Sequence, residues 1–205
     1  MDIVKTISQE LNIKPWQTEA AIKLIDEGNT IPFIARYRKE ATGSLNDEVL
    51  RRFHERLLYL RNLEDKKAQV LGSIEEQGKL TPELKKAIEA AATMVAVDDL
   101  YRPYRPKRRT RATIAKEKGL EPLANILLLQ MTKCLPEEEA AAYISEEKGA
   151  ATVEEALDGA KDILAEMISD SAEYRTYIRK ATMNEGKIVS KGRDEKEKSV
   201  YENYY

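Results

Sequence analysis

A single cysteine, Cys134, excludes an internal disulfide framework and fits a reducing compartment. A single histidine, His54, leaves no His/Cys cluster of metal-ligand spacing. No glycine-rich phosphate loop followed by Lys-Ser or Lys-Thr occurs. No apolar run approaches the roughly 18 residues of a membrane span. The opening MDIVKTISQELNI lacks the basic start, apolar block and small-residue cleavage site of a signal peptide. Aromatics are only 6% of the chain. These absences describe a soluble cytoplasmic protein with no membrane partner and no cofactor.

Catalysis is also poorly provided for. His54 stands among Arg51, Arg52 and Arg56, a solvated setting, and Cys134 precedes Leu135-Pro136 as a small hydrophobe at a helix boundary. Glu137, Glu138 and Glu139 follow Pro136, where acids favour the positive end of a helix dipole. Asp158 lies one turn from both Glu154 and Asp162, an arrangement that reads as a solvated face before it reads as a weak divalent-ion site. No catalytic and no metal-binding residue is assigned, and the chain is expected not to be an enzyme.

Charge, by contrast, is abundant. Charged residues are 34% of the 205, against about a quarter on average. The net charge of −2 conceals their sorting. Between residues 100 and 116 lie seven cations and no acid, whereas residues 137–173 carry twelve acids against Lys148 and Lys161.

Nearly every periodic segment predicts a helix. Asp2 caps the first, and Pro15 opens a second with Trp16, Ala20, Leu24 and Ile25 inward. Thr30 and Pro32 begin a short basic amphipathic helix in which Phe33, Ile34 and Tyr37 should pack inward and Arg36, Arg38 and Lys39 face solvent. Asn46 caps a long helix to Gly78 whose stripe is Val49, Phe53, Leu57, Leu60, Leu71 and Ile74, thin at Glu64 and Lys67. At 1.5 Å per residue it would be a rod of roughly 45 Å. Thr81-Pro82-Glu83 starts its antiparallel partner, with Leu84, Ile88, Ala91, Ala92 and Val95 on one face. Further helices are expected near 112–118, 121–131, 136–145, 153–169 and 171–184, the last with Tyr174, Ile178 and Ala181 inward. Only 187–191, within GKIVSKG, suggests a strand. The expectation is an all-α scaffold in four regions: 1–45, 46–96, 97–118 (the basic loop) and 119–205.

The basic loop, LYRPYRPKRRTRATIAK, is the clearest functional signal. Pro103 and Pro106 are three apart, the period of polyproline II, which would set Tyr101, Tyr104 and Lys107 on one edge and Arg102, Arg105 and Arg108 on another. Cations with interleaved rings suit phosphate contact plus base stacking. The candidate nucleic-acid residues are therefore Tyr101, Arg102, Tyr104, Arg105, Lys107, Arg108, Arg109 and Arg111, extended by Arg36, Arg38 and Lys39 where these join the same surface. Six such cations on single-stranded phosphates predict a log–log salt slope of about −4. The competing reading is an internal brace, in which these cations pair with the acidic 137–173 region. A proline-x-x-proline-x-arginine match to SH3 ligands is a third reading and the least specific.

Three stretches carry a resemblance: NTIPFIARYRKEATGSLNDE, SIEEQGKLTPEL and DDLYRPYRPKRRTRATIAKEKGLEPLA. In their order and separation the chain resembles the N-terminal region of the Tex family of bacterial transcription accessory proteins, over essentially its whole length. The resemblance implies a mostly helical scaffold with a helix-turn-helix-like module, linked to transcription and RNA binding, and a eukaryotic relative that acts as an elongation factor with RNA polymerase and chromatin. Tex proteins are several times longer, with an RNase H-like domain of the YqgF type, helix-hairpin-helix elements and a C-terminal OB-fold that binds RNA. This sequence has no residues for those domains, and its abrupt SVYENYY end reads as a truncation. The expected function is thus a non-catalytic scaffold module giving weak, sequence-tolerant contact to RNA or DNA. The alternative is a docking scaffold for the protein's downstream domains or the transcription machinery.

Overall fold

The computed structural model describes residues 2–192, 200 and 202–204. It is all-α, and it divides into two compact units, residues 1–104 and 105–205.

In the first unit, Asp2 caps α1 (Ile3–Leu11) by accepting from the Lys5 N–H at 2.9 Å, and Pro15 starts α2 (Pro15–Asp26). Buried Ser8 of α1 and Thr18 of α2 share a hydroxyl hydrogen bond of 2.8 Å, so their contact carries no unsatisfied polar group. The short α3 (Ile31–Tyr37) follows. The loop behind it is clasped by α2: Gln17 donates to the Thr42 and Gly43 carbonyls at 2.9 and 3.2 Å. Gly43 has φ +62°, and a Cβ there would collide with the Trp16 ring, so glycine is required on both counts. Trp16, expected inward, lies half-exposed across this loop.

The long helix α4 (Asp47–Glu76) is the spine of this unit. Its buried stripe is Leu50, Phe53, Leu57, Leu60, Leu63, Lys67, Val70 and Ile74. Spacings of three and four keep that stripe on one face. The stripe differs from the expected one at Val49 and Leu71, and it is not thin in the middle. Lys67 is 4% exposed and donates to Glu64 at 2.9 Å and to the Glu89 carbonyl at 2.9 Å, which satisfies the buried ammonium.

The expected partner of α4 is two helices. α5 (Pro82–Ala90) stops, and Thr93 caps α6 (Met94–Tyr101) by accepting from the Ala96 N–H at 3.2 Å. The Met94 N–H donates to the Tyr59 hydroxyl of α4 at 3.2 Å, fixing the break.

The second unit contains α7 (Arg111–Glu117), α8 (Glu121–Leu129), α9 (Pro136–Ala141), α10 (Val153–Asp170) and α11 (Ala172–Glu185). Its core is rich in small residues (Ala112, Ala115, Ala124, Ala140, Ala156 and Ala160) around Leu120, Leu123 and Ile163. Small side chains let α7, α8 and α9 approach α10 closely. α11 buries none of its residues, so Tyr174, Ile178 and Ala181 are not the inward face expected of them.

The expected strand at 187–191 does not form: among the described residues, β-structure is one isolated bridge, Ser145 to Ala150. A five-residue strand needs an edge to pair with, and a helical chain offers none. No helix among the described residues is long and apolar enough to cross a membrane.

Candidate nucleic-acid interface

The basic segment begins at the C-terminal end of α6. It does not start as polyproline II: Arg102 is helical (φ −52°, ψ −43°), and Arg102–Tyr104 is a 3-10 turn that continues the helix. The proline-fixed φ at Pro103 is compatible with either form. Side-chain anchors select the turn. The Tyr101 hydroxyl hydrogen-bonds Ser73 of α4 at 2.9 Å, and Gln77 donates to the Tyr104 carbonyl at 3.0 Å. Both rings pack against the first unit's core and are partly buried, so they hold the turn in place.

The second unit takes the chain from Arg105. Here the cations divide into two groups. Lys107 bonds both Glu166, at 3.3 Å, and Asp170 of α10. Burial lowers its ammonium's proton affinity, but the hydrogen bonds to Asp170 and Glu166 outweigh that and leave the pKa above the ordinary lysine value. Arg109 pairs with Glu117 at 2.6 Å, and Arg111 lies 3.6 Å from Asp162. Arg105 and Arg108 are exposed and make no ion pair among the described residues. Two acids of the 137–173 block therefore brace Lys107, and a third faces Arg111.

Arg36, Arg38 and Lys39 lie at the other end of α4 from Tyr101 and Tyr104. Arg36, Lys39 and Arg51 line a concavity of about 600 Å³ with Pro32, Asn46 and Asp47. From Arg51 to Ser73 is 22 residues of helix, roughly 33 Å. Within the first unit, then, the α3 cations do not join the tyrosine-anchored turn. Arg36 and Lys39 have no carboxylate partner among the described residues, and Arg38 lies over the Phe33 ring, 5.5 Å from its centroid.

α3 also corrects the expected inward face. Ile34 is fully buried, but Phe33 is 37% and Tyr37 63% exposed. Their rings stack at a 45° tilt with centroids 5.3 Å apart. A seven-residue helix can bury one narrow stripe, and Ile31 and Ile34 occupy it. The two aromatics are four apart and share a side of the helix, but Tyr37 is also three from Ile34, so spacing alone does not mark the pair as exposed.

Two of the α10 carboxylates singled out in the sequence are engaged in ion pairs. Asp158 accepts from Lys161 at 3.0 Å, and Asp162 faces Arg111. His54 is partly buried on α4, and Cys134 is exposed ahead of α9. Among the described residues no three His, Cys, Asp or Glu gather as metal ligands.

Comparison with known proteins gives matches at both ends of the chain. Residues 1–75 match the Tex-like protein N-terminal domain, and residues 132–205 match the Tex central region-like family. The transcriptional accessory protein Tex of Neisseria gonorrhoeae is 51% identical over 92% of this chain and 24% of its own length. An uncharacterized protein of Bacillus subtilis, YdcI, is 47% identical over 97% of this chain and 28% of its own. The human S1 RNA-binding domain-containing protein 1 is 32% identical over 87% of this chain and 18% of its own. The chain thus spans about a quarter of the length of its bacterial relatives.

Proposed function

The chain belongs to the Tex family, and we propose that it is the non-catalytic helical module with which a cytoplasmic, Tex-like transcription accessory protein makes sequence-tolerant contact with RNA. The observation that carries this reading is that four of the candidate cations, Arg36, Lys39, Arg105 and Arg108, are exposed and have no carboxylate partner among the described residues. Unpaired cations release counterions from a phosphate backbone without first breaking a bond in the protein. Arg38 adds to the first pair, whereas Arg102, exposed on the 3-10 turn, is already engaged and is not counted among them. Arg109 and Arg111 sit in exposed pairs worth about 0–1 kcal/mol, which phosphates can displace cheaply. Lys107 is held by two carboxylates and serves as a brace, as do the anchors Tyr101 and Tyr104.

The test is a titration of labelled single-stranded RNA and duplex DNA at low and moderate salt. Arg36→Glu/Lys39→Glu and Arg105→Glu/Arg108→Glu run beside the parent, with fold verified by circular dichroism. Binding should weaken with a log–log slope of about −3 when four or five cations engage single-stranded phosphates, and each pair should lower its magnitude by about 1. Absence of binding at low salt overturns the reading.

One observation favours a second function, docking of further polypeptide of the same protein. α11 leaves Tyr174, Tyr177, Ile178 and Met183 exposed, a concentration of apolar surface unusual on a finished domain. Relatives about four times longer have chain available to cover it. Protection of α11 amides from hydrogen exchange in a full-length Tex protein, but not in this chain, is the expected result.

A further inference from the structure

The exposed Phe33–Tyr37 pair is in the wrong place for a core and in the right place for a ligand. α3 is fixed from beneath by Ile31 and Ile34, and from the side by the clasp of Gln17 on the following loop. Its outer face is therefore rigid, so a ligand would lose little entropy in ordering it. At 100° per residue, Arg36 falls between the concavity lined by Pro32 and Lys39 and the edge of the aromatic pair. Arg38 covers the Phe33 ring and keeps a cation beside it. One small surface thus carries the well-exposed Tyr37 ring, the partly exposed Phe33 ring beside it and three cations.

We propose that Phe33 and Tyr37 form a base-stacking platform on α3, on which a single-stranded RNA base stacks while Arg36 and Lys39 hold the flanking phosphates. The proposal rests on the RNA-binding reading and adds a residue-level claim to it: the rings contribute affinity that depends on the base and not on salt. A ring face offers a base the same π-contact whatever its identity, so the platform is sequence-tolerant. Charge complementarity favours a nucleic-acid strand over an apolar peptide, because the rings are flanked by cations and Asp47, the acid at the concavity, is paired with Arg51 at 2.8 Å.

The experiment compares a short adenine-rich RNA with an abasic ribose-phosphate oligomer of the same length, by fluorescence polarisation. The parent chain should bind the base-bearing oligomer about tenfold tighter, as expected for one stacked base. Phe33→Ala/Tyr37→Ala should erase that difference and leave the salt slope unchanged, whereas Arg36→Ala/Lys39→Ala should reduce the slope and keep the preference. Tyr37→Phe keeps the ring and should retain the preference. Tyr37→Ala, at the more exposed position, should show a partial loss without any fold concern. Equal binding of both oligomers by the parent overturns the platform while leaving the phosphate contact standing. So does an unchanged preference in the double alanine variant, the result expected where the rings serve a polypeptide. No binding of either oligomer overturns both readings.

Discussion

The Arg56 guanidinium meets the Glu10 carboxylate at two points, Nε to Oε2 at 2.6 Å and Nη2 to Oε1 at 2.7 Å, and ties α1 to α4. Arg61 does the same for Asp26 of α2, at 2.7 and 2.8 Å. These hydrogen bonds hold both carboxyls below their ordinary pKa, against a smaller opposing effect of burial. A lowered folded pKa adds stability that is complete above the unfolded value and lost as pH falls through the folded one. The gap in melting temperature between the parent and Glu10→Gln/Asp26→Asn should therefore be constant from neutrality to about pH 5 and shrink below about pH 4. At neutral pH Glu10→Gln alone should cost about 0.5–1 kcal/mol, a surface-pair value given its exposure.

Two neighbouring residues of α3 should respond unequally to truncation. Ile34→Ala removes a fully buried side chain and should cost about 2–5 kcal/mol in urea unfolding. Phe33→Ala removes a ring that is 37% exposed and stacks with Tyr37 and Arg38, and should cost about 1 kcal/mol. A larger loss at Phe33 than at Ile34 would mean that α3 sits on α4 by its other face.

These differences mark how far local sequence reaches. Asp2, Asn46 and Thr81 were legible as caps because each acts on an N–H three residues away, and each does so here. Lys67 was not legible as core: its burial depends on the Glu89 carbonyl, 22 residues on. The stop between α5 and α6 depends likewise on Tyr59. The cations of 102–111 were legible as a cluster, and both the free and the braced reading could be written from composition. Which cation takes which role is set by Asp162, Glu166 and Asp170, more than fifty residues downstream, and only folding brings them to Lys107 and Arg111. The Phe33–Tyr37 pair departs from expectation because apolar character does not by itself mean burial, and a short helix has room for only one buried stripe.

Lys107 should matter more to stability than its exposed neighbours. Glu166 and Asp170 are mostly covered, with side chains 25% and 14% exposed, and lie one turn apart on α10. Removing the ammonium takes away the cation that bridges these two carboxylates. Lys107→Met should cost roughly 1–2 kcal/mol, between the surface-pair and buried-pair ranges. Because the Lys107 pKa is raised, its contribution is complete at neutral pH and is lost only as pH rises through that raised value. Arg108→Met, with no ion pair among the described residues, should fall within about 0.5 kcal/mol of the parent.

Two helical glycines provide a sharper check on the packing. Gly72 of α4 has nothing within 4 Å of an added Cβ, so Gly72→Ala should stabilise by about 0.5–1 kcal/mol through helix propensity alone. Gly159 of α10 lies against fully buried Leu120, whose Cδ1 an added methyl would overlap, and 3.3 Å from the Ala115 Cβ. The same propensity gain is available there, but Leu120 has no solvent to move into, and overpacking costs about 1–3 kcal/mol. Gly159→Ala should therefore lower the melting temperature while Gly72→Ala raises it. A stabilising Gly159→Ala would show that α10 stands further from Leu120 than this packing requires, and the alanine-rich core of the second unit would have to be looser than described.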